Sequence, residues 1–132
     1  MKIIVAGGRN KADFLIGSLL EKKHEVTVIN DEEAYCRYLS EKYNIPVIAG
    51  NPCKQYVLEE AEIENADILI ALRPSDPDNL AICQTAKKIF HVKKVVATVA
   101  NPKMFLFSKN SVSIQPYQQR IRFLKSLSRQ VR

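Results

Sequence analysis

Gly7 and Gly8 end an apolar run, Ile3-Ile4-Val5-Ala6, and are followed by Arg9, Asn10, Lys11 and Ala12. A continuous apolar run suits a strand buried on both faces. From near Asp13 the pattern turns helical, with Leu15, Ile16, Leu19 and Leu20 on one stripe over about Lys11 to Lys23. Strand, glycine turn and helix open a nucleotide-binding βαβ unit. The turn leaves backbone N–H groups free at a helix N-terminus, where an anion is favoured. In G-x-G-x-x-G register Gly7 is the first glycine, Arg9 takes the second place and Ala12 the third. Alanine still allows close helix–strand packing. Arg9 instead puts a Cβ and a long side chain where a pyrophosphate normally reaches the backbone. Three readings stay open: a dinucleotide site, a structural βαβ unit with an altered site, and a site where Arg9 and Lys11 hold phosphates by charge.

The elements that must position this turn follow in order. Val26-Thr27-Val28-Ile29 reads as a second buried strand, ending at Asn30. Here, about 20 residues past the glycines, an acid commonly takes the ribose hydroxyls. Asn30 can hydrogen-bond a ribose without charge, and Asp31 is the acid that could substitute. Glu32 and Glu33 suit the N-terminus of the next helix, expected to about Tyr43 with Ala34, Tyr38 and Leu39 inward. A short strand at 46–49 leads to Gly50-Asn51-Pro52-Cys53, and a short helix follows over 55–61. The fourth strand, 67–72, ends with Ala71 and Leu72, and Arg73 follows. Asp76 with Pro77 signals the next helix start, with Leu80, Cys83, Ala86 and Phe90 buried. Val95–Val99 is the fifth strand, and Asn101-Pro102 predicts another short helix through Phe107.

Strands alternating with helices imply an α/β fold: a Rossmann-like, doubly wound parallel sheet in the order 3-2-1-4-5. That order brings Gly7 to Lys11, Asn30 and Asp31, Asn51 to Cys53, and Ala71 to Arg73 to one rim, where a ligand is expected. His24 and His91 precede strands two and five, at the opposite end of the sheet.

Composition narrows the classes. With 132 residues, 46% hydrophobic and 26% charged, the chain reads as one soluble core. It has no apolar run long enough to span a bilayer, and no leader segment is expected. Three widely spaced cysteines predict reduced thiols in the cytoplasm and no metal site. The net charge of +6 is uneven: seven of the 20 basic residues and none of the 14 acids fall in Lys103–Arg132. An oxidoreductase would need a substrate domain and an acid or base near the cofactor, and no candidate for either is evident. A nucleic-acid module would rest on the basic tail alone, and no such motif is present.

Further stretches carry a resemblance. Gly50-Asn51-Pro52 stands where one family has Gly-Asp-Ala. Val57-Leu58-Glu59-Glu60-Ala61-Glu62-Ile63-Glu64-Asn65-Ala66-Asp67 continues the pattern. So do Asp76-x-x-Asn79-Leu80-x-x-Cys83-x-x-Ala86-Lys87 and Val95-Val96-Ala97-x-Val99-x-Asn101-Pro102. From Met1 to about Pro102 the chain resembles the TrkA-N (RCK or KTN) nucleotide-binding domain of potassium-transport regulators. The resemblance implies a non-catalytic cytoplasmic subunit that binds NAD(H), ATP/ADP or AMP. It implies a homodimer or ring that acts on a membrane potassium channel or transporter and meets the membrane only through that partner. The alternatives are a small NAD(P)-binding oxidoreductase-like protein and a degenerate module used only for protein–protein contact. Arg9, Asn30 and Asn51 depart from the family pattern, each toward positive charge, so the rim is expected to be more electropositive than a usual NAD site.

The domain is expected over residues 1–110, followed by a basic amphipathic segment over 111–132. Val112 and Ile114 suggest a sixth short strand, and Pro116 opens an expected helix to about Gln130. Tyr117, Ile121, Leu124 and Val131 form its apolar stripe. Such a stripe left in water is a patch that soluble monomers avoid, and a second copy would cover it with two-fold symmetry. Light scattering should therefore find at least a dimer, and Leu124→Asp at matched concentration should dissociate it. A monomeric wild type, or a variant that stays assembled, would contradict this assignment.

Overall fold

The computed structural model describes residues 1–98, 103–108 and 111–116. The elements are β1 (Lys2–Ala6), α1 (Asn10–Glu21), β2 (Glu25–Asn30), α2 (Glu33–Tyr43), β3 (Val47–Ala49) and α3 (Gln55–Glu60). A 3₁₀ turn (Ile63–Asn65), β4 (Ile68–Ala71), α4 (Asp76–Lys88), β5 (Lys94–Thr98), β6 (Lys103–Ser108) and β7 (Ser111–Pro116) complete them. The sheet order is β3-β2-β1-β4-β5-β6-β7. The first five strands pair in parallel, in the order expected from the sequence.

β1, β2, β4 and β5 are buried on both faces, so alternate residues serve two cores. Ile4, Ala6, Ile29, Leu69, Ala71 and Val95 face Val57, Leu58, Ile82, Cys83 and Ala86 of α3 and α4. Ile3, Val5, Val26, Val28, Ile68 and Ile70 face Leu15, Ile16, Leu19 and Leu39 of α1 and α2. Each fully buried Ile or Leu contributes roughly 1.5–3 kcal/mol. The two layers therefore fix the crossovers, and with them which strand ends meet.

Several local expectations are corrected. The helix expected through Phe107 is strand β6, which pairs antiparallel with β5 and then with β7. Phe105 and Phe107 favour a strand, and Ser108 pairs with Ser111, so the two strands form a tight hairpin. β7 covers the short strand expected through Val112 and Ile114 and carries the sheet past residue 110. Pro116, the expected start of the last helix, ends β7 and pairs with Lys103; the rest of that helix, from residue 117 on, lies outside the described residues, as do Asn101 and Pro102. In α2, Ala34 and Tyr38 are exposed, while Cys36 and Leu39 are buried. The tyrosines use the α1–α2 seam instead. Tyr38 and Tyr43 donate hydroxyl hydrogen bonds to the Asp13 carboxylate, which also pairs with Lys42. These bonds, Tyr43 foremost, hold the Asp13 carboxyl below the usual carboxylate range despite some burial. Ser75, not Asp76, caps α4: its hydroxyl accepts from the Asp78 N–H, with Asp76 and Pro77 inside the first turn.

At the end of β1 the chain adopts φ +82° at Gly7 and +89° at Gly8. Only glycine adopts these angles readily. A Cβ on Gly7 would lie 2.5 Å from Arg73 Cγ, and one on Gly8 would lie 3.0 Å from Ala12 Cβ. Gly7→Ala should therefore cost at least roughly 1–3 kcal/mol through backbone strain, with the Arg73 contact in addition. Urea unfolding should show this as a lower midpoint at unchanged slope.

Candidate functional site

Strands β1, β2, β3 and β4 end level with one another, so their loops leave the sheet on one side. Backbone bonds tie these loops together. Gly7 N–H donates to Ile29 O (2.8 Å), Leu72 N–H to Ala6 O (2.8 Å) and Gly50 N–H to Asn30 O (2.9 Å). Gly7 and Gly8 form the turn, with Arg9 as the N-cap residue of α1. Asn10, Lys11 and Ala12 make up its first turn, and Ala12 is buried against the glycine turn. Ala71 and Leu72 are buried and form an apolar floor at the end of β4.

Arg73 dominates this floor. Its methylene stem packs over Gly7. Its guanidinium donates from Nη1 to Asp31 Oδ2 (3.1 Å) and from Nε to Asp78 Oδ2 (3.1 Å). One cation thus joins the end of β2 to the start of α4 across the mouth of the crevice. The Arg73 side chain is 16% exposed, against 48% for Asp31 and 38% for Asp78. Its backbone is held as firmly. Asn79 is fully buried in α4. Its Oδ1 accepts from the Arg73 N–H (2.9 Å), and its Nδ2 donates to the Arg73 carbonyl (2.8 Å).

Asn30 plays a matching part at the other wall. It is 3% exposed. Its Nδ2 donates to the Gly8 carbonyl (2.9 Å), and its Oδ1 accepts from the Glu32 N–H (2.9 Å). Both polar atoms of the amide are thus engaged by loop backbone. Arg9 reaches outward to pair with Glu32 and accepts on its carbonyl from the Tyr35 hydroxyl. The expectation of an electropositive rim is corrected for the described side chains. Arg9 is neutralised by Glu32, and Arg73 faces two carboxylates. In sequence these partners are 23 to 42 positions apart or lie in the next turn, so composition could not pair them.

The third wall is the loop after β3. Asn51 Oδ1 accepts from the Cys53 N–H (2.9 Å), a local turn. Pro52 is buried, and Cys53 packs at the edge of the core. Burial, with the Asp78 charge in second place, pushes the Cys53 thiol up, so it is not an activated nucleophile. Gly50 lets α3 close in, since a Cβ there would lie 3.0 Å from Val57 Cγ2. No group of three His, Cys, Asp or Glu side chains able to hold a metal occurs among the described residues. No helix among them is long and apolar enough to cross a membrane. The crevice thus offers a glycine turn at a helix N-terminus, two carboxylates and one partly buried arginine.

Comparison with known proteins gives this arrangement its family. The chain is 31% identical over 103 residues to the Trk system potassium uptake protein TrkA of Vibrio alginolyticus, covering 78% of this chain and 22% of that protein. It is 33% identical over 102 residues to the Trk system potassium uptake protein TrkA homolog of Methanothermobacter thermautotrophicus, covering 77% and 47%. The chain therefore spans less than half the length of these relatives. The GsuK channel bound to NAD superposes with a TM-score of 0.68 at 28% identity, over 76% of this chain and 18% of that one. The TrkA-N domain of the inner membrane protein ybaL from Escherichia coli matches in fold, with a TM-score of 0.66 at 17% identity over 94% and 80%. The TrkA-N domain model matches residues 3–106, and the chain belongs to the TrkA-N domain family.

Proposed function

We propose that this chain is a cytoplasmic regulatory module of potassium transport that binds an adenine nucleotide, NAD(H), ATP/ADP or AMP, and catalyses nothing itself. The observation that carries this reading is the pair Gly7 and Gly8, both at positive φ at the head of α1. This is backbone geometry for receiving phosphate at the switch point of a doubly wound sheet. The GsuK channel bound to NAD, at 28% identity, supports it. In this reading Gly7, Gly8 and the first-turn N–H groups of Asn10, Lys11 and Ala12 face phosphate, with Arg9 at their edge. Asn30 and Asp31 flank the ribose, and Asn51, Pro52 and Cys53 line the base side. Ala71 and Leu72 form the floor beneath Arg73. The module works as a homodimer or ring beside a membrane channel or transporter, at the inner face of the membrane.

A specific observation favours a second reading. The Asn30 amide is engaged by Gly8 and Glu32, and the Arg73 stem covers Gly7, as in a module used only for protein contact. Thermal shift against NAD, NADH, ATP, ADP and AMP separates the two. A ligand at 100 times its dissociation constant should stabilise the fold by roughly 2.7 kcal/mol. No shift with any of them at millimolar concentration would leave only the second reading.

The Asn30 bonds change what an acid would do at that position. Asn30→Asp restores the family's charge but removes the donor to Gly8 O and sets two oxygens against each other in a buried site. The variant should lose roughly 1–3 kcal/mol at neutral pH. A carboxyl there titrates above its unfolded pKa, because its charged form is disfavoured. The deficit relative to wild type should thus shrink as pH falls through the carboxylate range and the protonated group regains a donor. Paired unfolding curves at several pH values test this sign.

A further inference from the structure

We propose that Arg73 is an exchangeable latch over the crevice: an entering pyrophosphate takes its guanidinium, and Asp31, so released, binds the ribose hydroxyls. This rests on the nucleotide reading and adds the residues that set specificity. The argument begins with how Arg73 is held. Its backbone is fixed on both polar groups by buried Asn79, and its stem is packed on Gly7. Only the guanidinium is left to change partners. Its two ion pairs differ in kind. Asp78 lies five residues on and holds Nε, close to the backbone anchor. Asp31 lies 42 residues away, is 48% exposed and holds only the terminal Nη1. An ion pair whose acid is half exposed is screened by water, so exchange at Nη1 costs little.

The charges favour an exchange over simple addition. One guanidinium between two carboxylates leaves the group with a net negative charge, which repels an incoming phosphate. Departure of Asp31 leaves one cation and one carboxylate and frees the whole Nη1–Nη2 edge for bidentate contact with a phosphate at the Gly7–Gly8 turn. Asp31 is the one that can leave, because it stands in the first position beyond β2. In this fold that region meets the ribose. Asn30 cannot take that part while its amide is bonded to Gly8 and Glu32. The latch thus couples two recognitions: phosphate frees the ribose acceptor, and ribose keeps that acceptor from reclaiming the arginine.

The test is equilibrium binding of NAD, ATP and adenosine to wild type, Arg73→Gln and Asp31→Asn. Arg73→Gln should weaken NAD and ATP roughly tenfold or more, as expected for a lost charge-assisted contact, while adenosine binds as well or better because Asp31 is free. General damage to the site would weaken all three together. That result overturns the proposal, as do unchanged NAD and ATP affinities. Asp31→Asn gives an independent measurement should Arg73→Gln not fold. Wild type should prefer ATP to 2′,3′-dideoxy-ATP, and Asp31→Asn, which keeps an amide but loses the charge, should narrow that preference. A preference undiminished in Asp31→Asn overturns the latch while leaving the nucleotide reading intact. A wild type that binds none of these ligands overturns the nucleotide reading itself, and the latch with it.

Discussion

Burial of β1 on both faces is the constraint on which the rest depends. Ile3, Ile4, Val5 and Ala6 are all fully buried. They can be so only if β2 and β4 flank the strand and helices cover both sides. That arrangement makes the crossovers right-handed and brings the carboxyl ends of three strands together. A strand with no solvent-facing side cannot leave the sheet through a gradual bend. It leaves through Gly7 and Gly8 at positive φ, with the Arg73 stem filling the space a side chain would need.

Where the strands stop, the backbone ladder stops too, and its polar groups need other partners. Two asparagines meet this need. Asn30 binds the turn after β1 to the segment after β2, and Asn79 binds the loop after β4 to α4. In each case one amide satisfies a carbonyl and an N–H, a combination that a carboxylate cannot provide. Asn30 thus supplies two loop contacts that an ionised acid in its place could not. Charge at the rim follows from the same frame: Arg9 and Arg73 each find an acid in the segment after β2, and Arg73 a second in the first turn of α4.

The parallel core was legible because its signals are local and redundant. Apolar runs mark the strands, Gly7 and Gly8 mark the turn, and the stripe from Leu15 to Leu20 marks the first helix. The family was legible from Gly50 onward for the same reason. Strand β6 was missed because Asn101-Pro102 reads in sequence as a helix start, while the apolar run from Met104 to Phe107 becomes decisive as a strand only beside β5. The phase of α2 was misread because tyrosine can pack its ring inward or carry its hydroxyl to Asp13 at the surface. Within the crevice, sequence brought the right segments to one rim but not their pairings. The Arg73–Asp31 contact crosses 42 residues and exists only through the strand order.

The Asn79 clamp has a consequence for dynamics. Loops beside binding sites usually belong to the parts of a protein that open most easily. Here the loop after β4 is tied on both polar groups of Arg73 to a residue inside the core, so its amide proton opens with α4 and not with the surface. Motion of Arg73 is then left to the rotamers of its side chain. Ordering such a side chain costs about 0.5–1.5 kcal/mol, far less than ordering a several-residue loop backbone at roughly 1–2 kcal/mol per residue. At Arg73 the main chain is fixed and the guanidinium is adjustable.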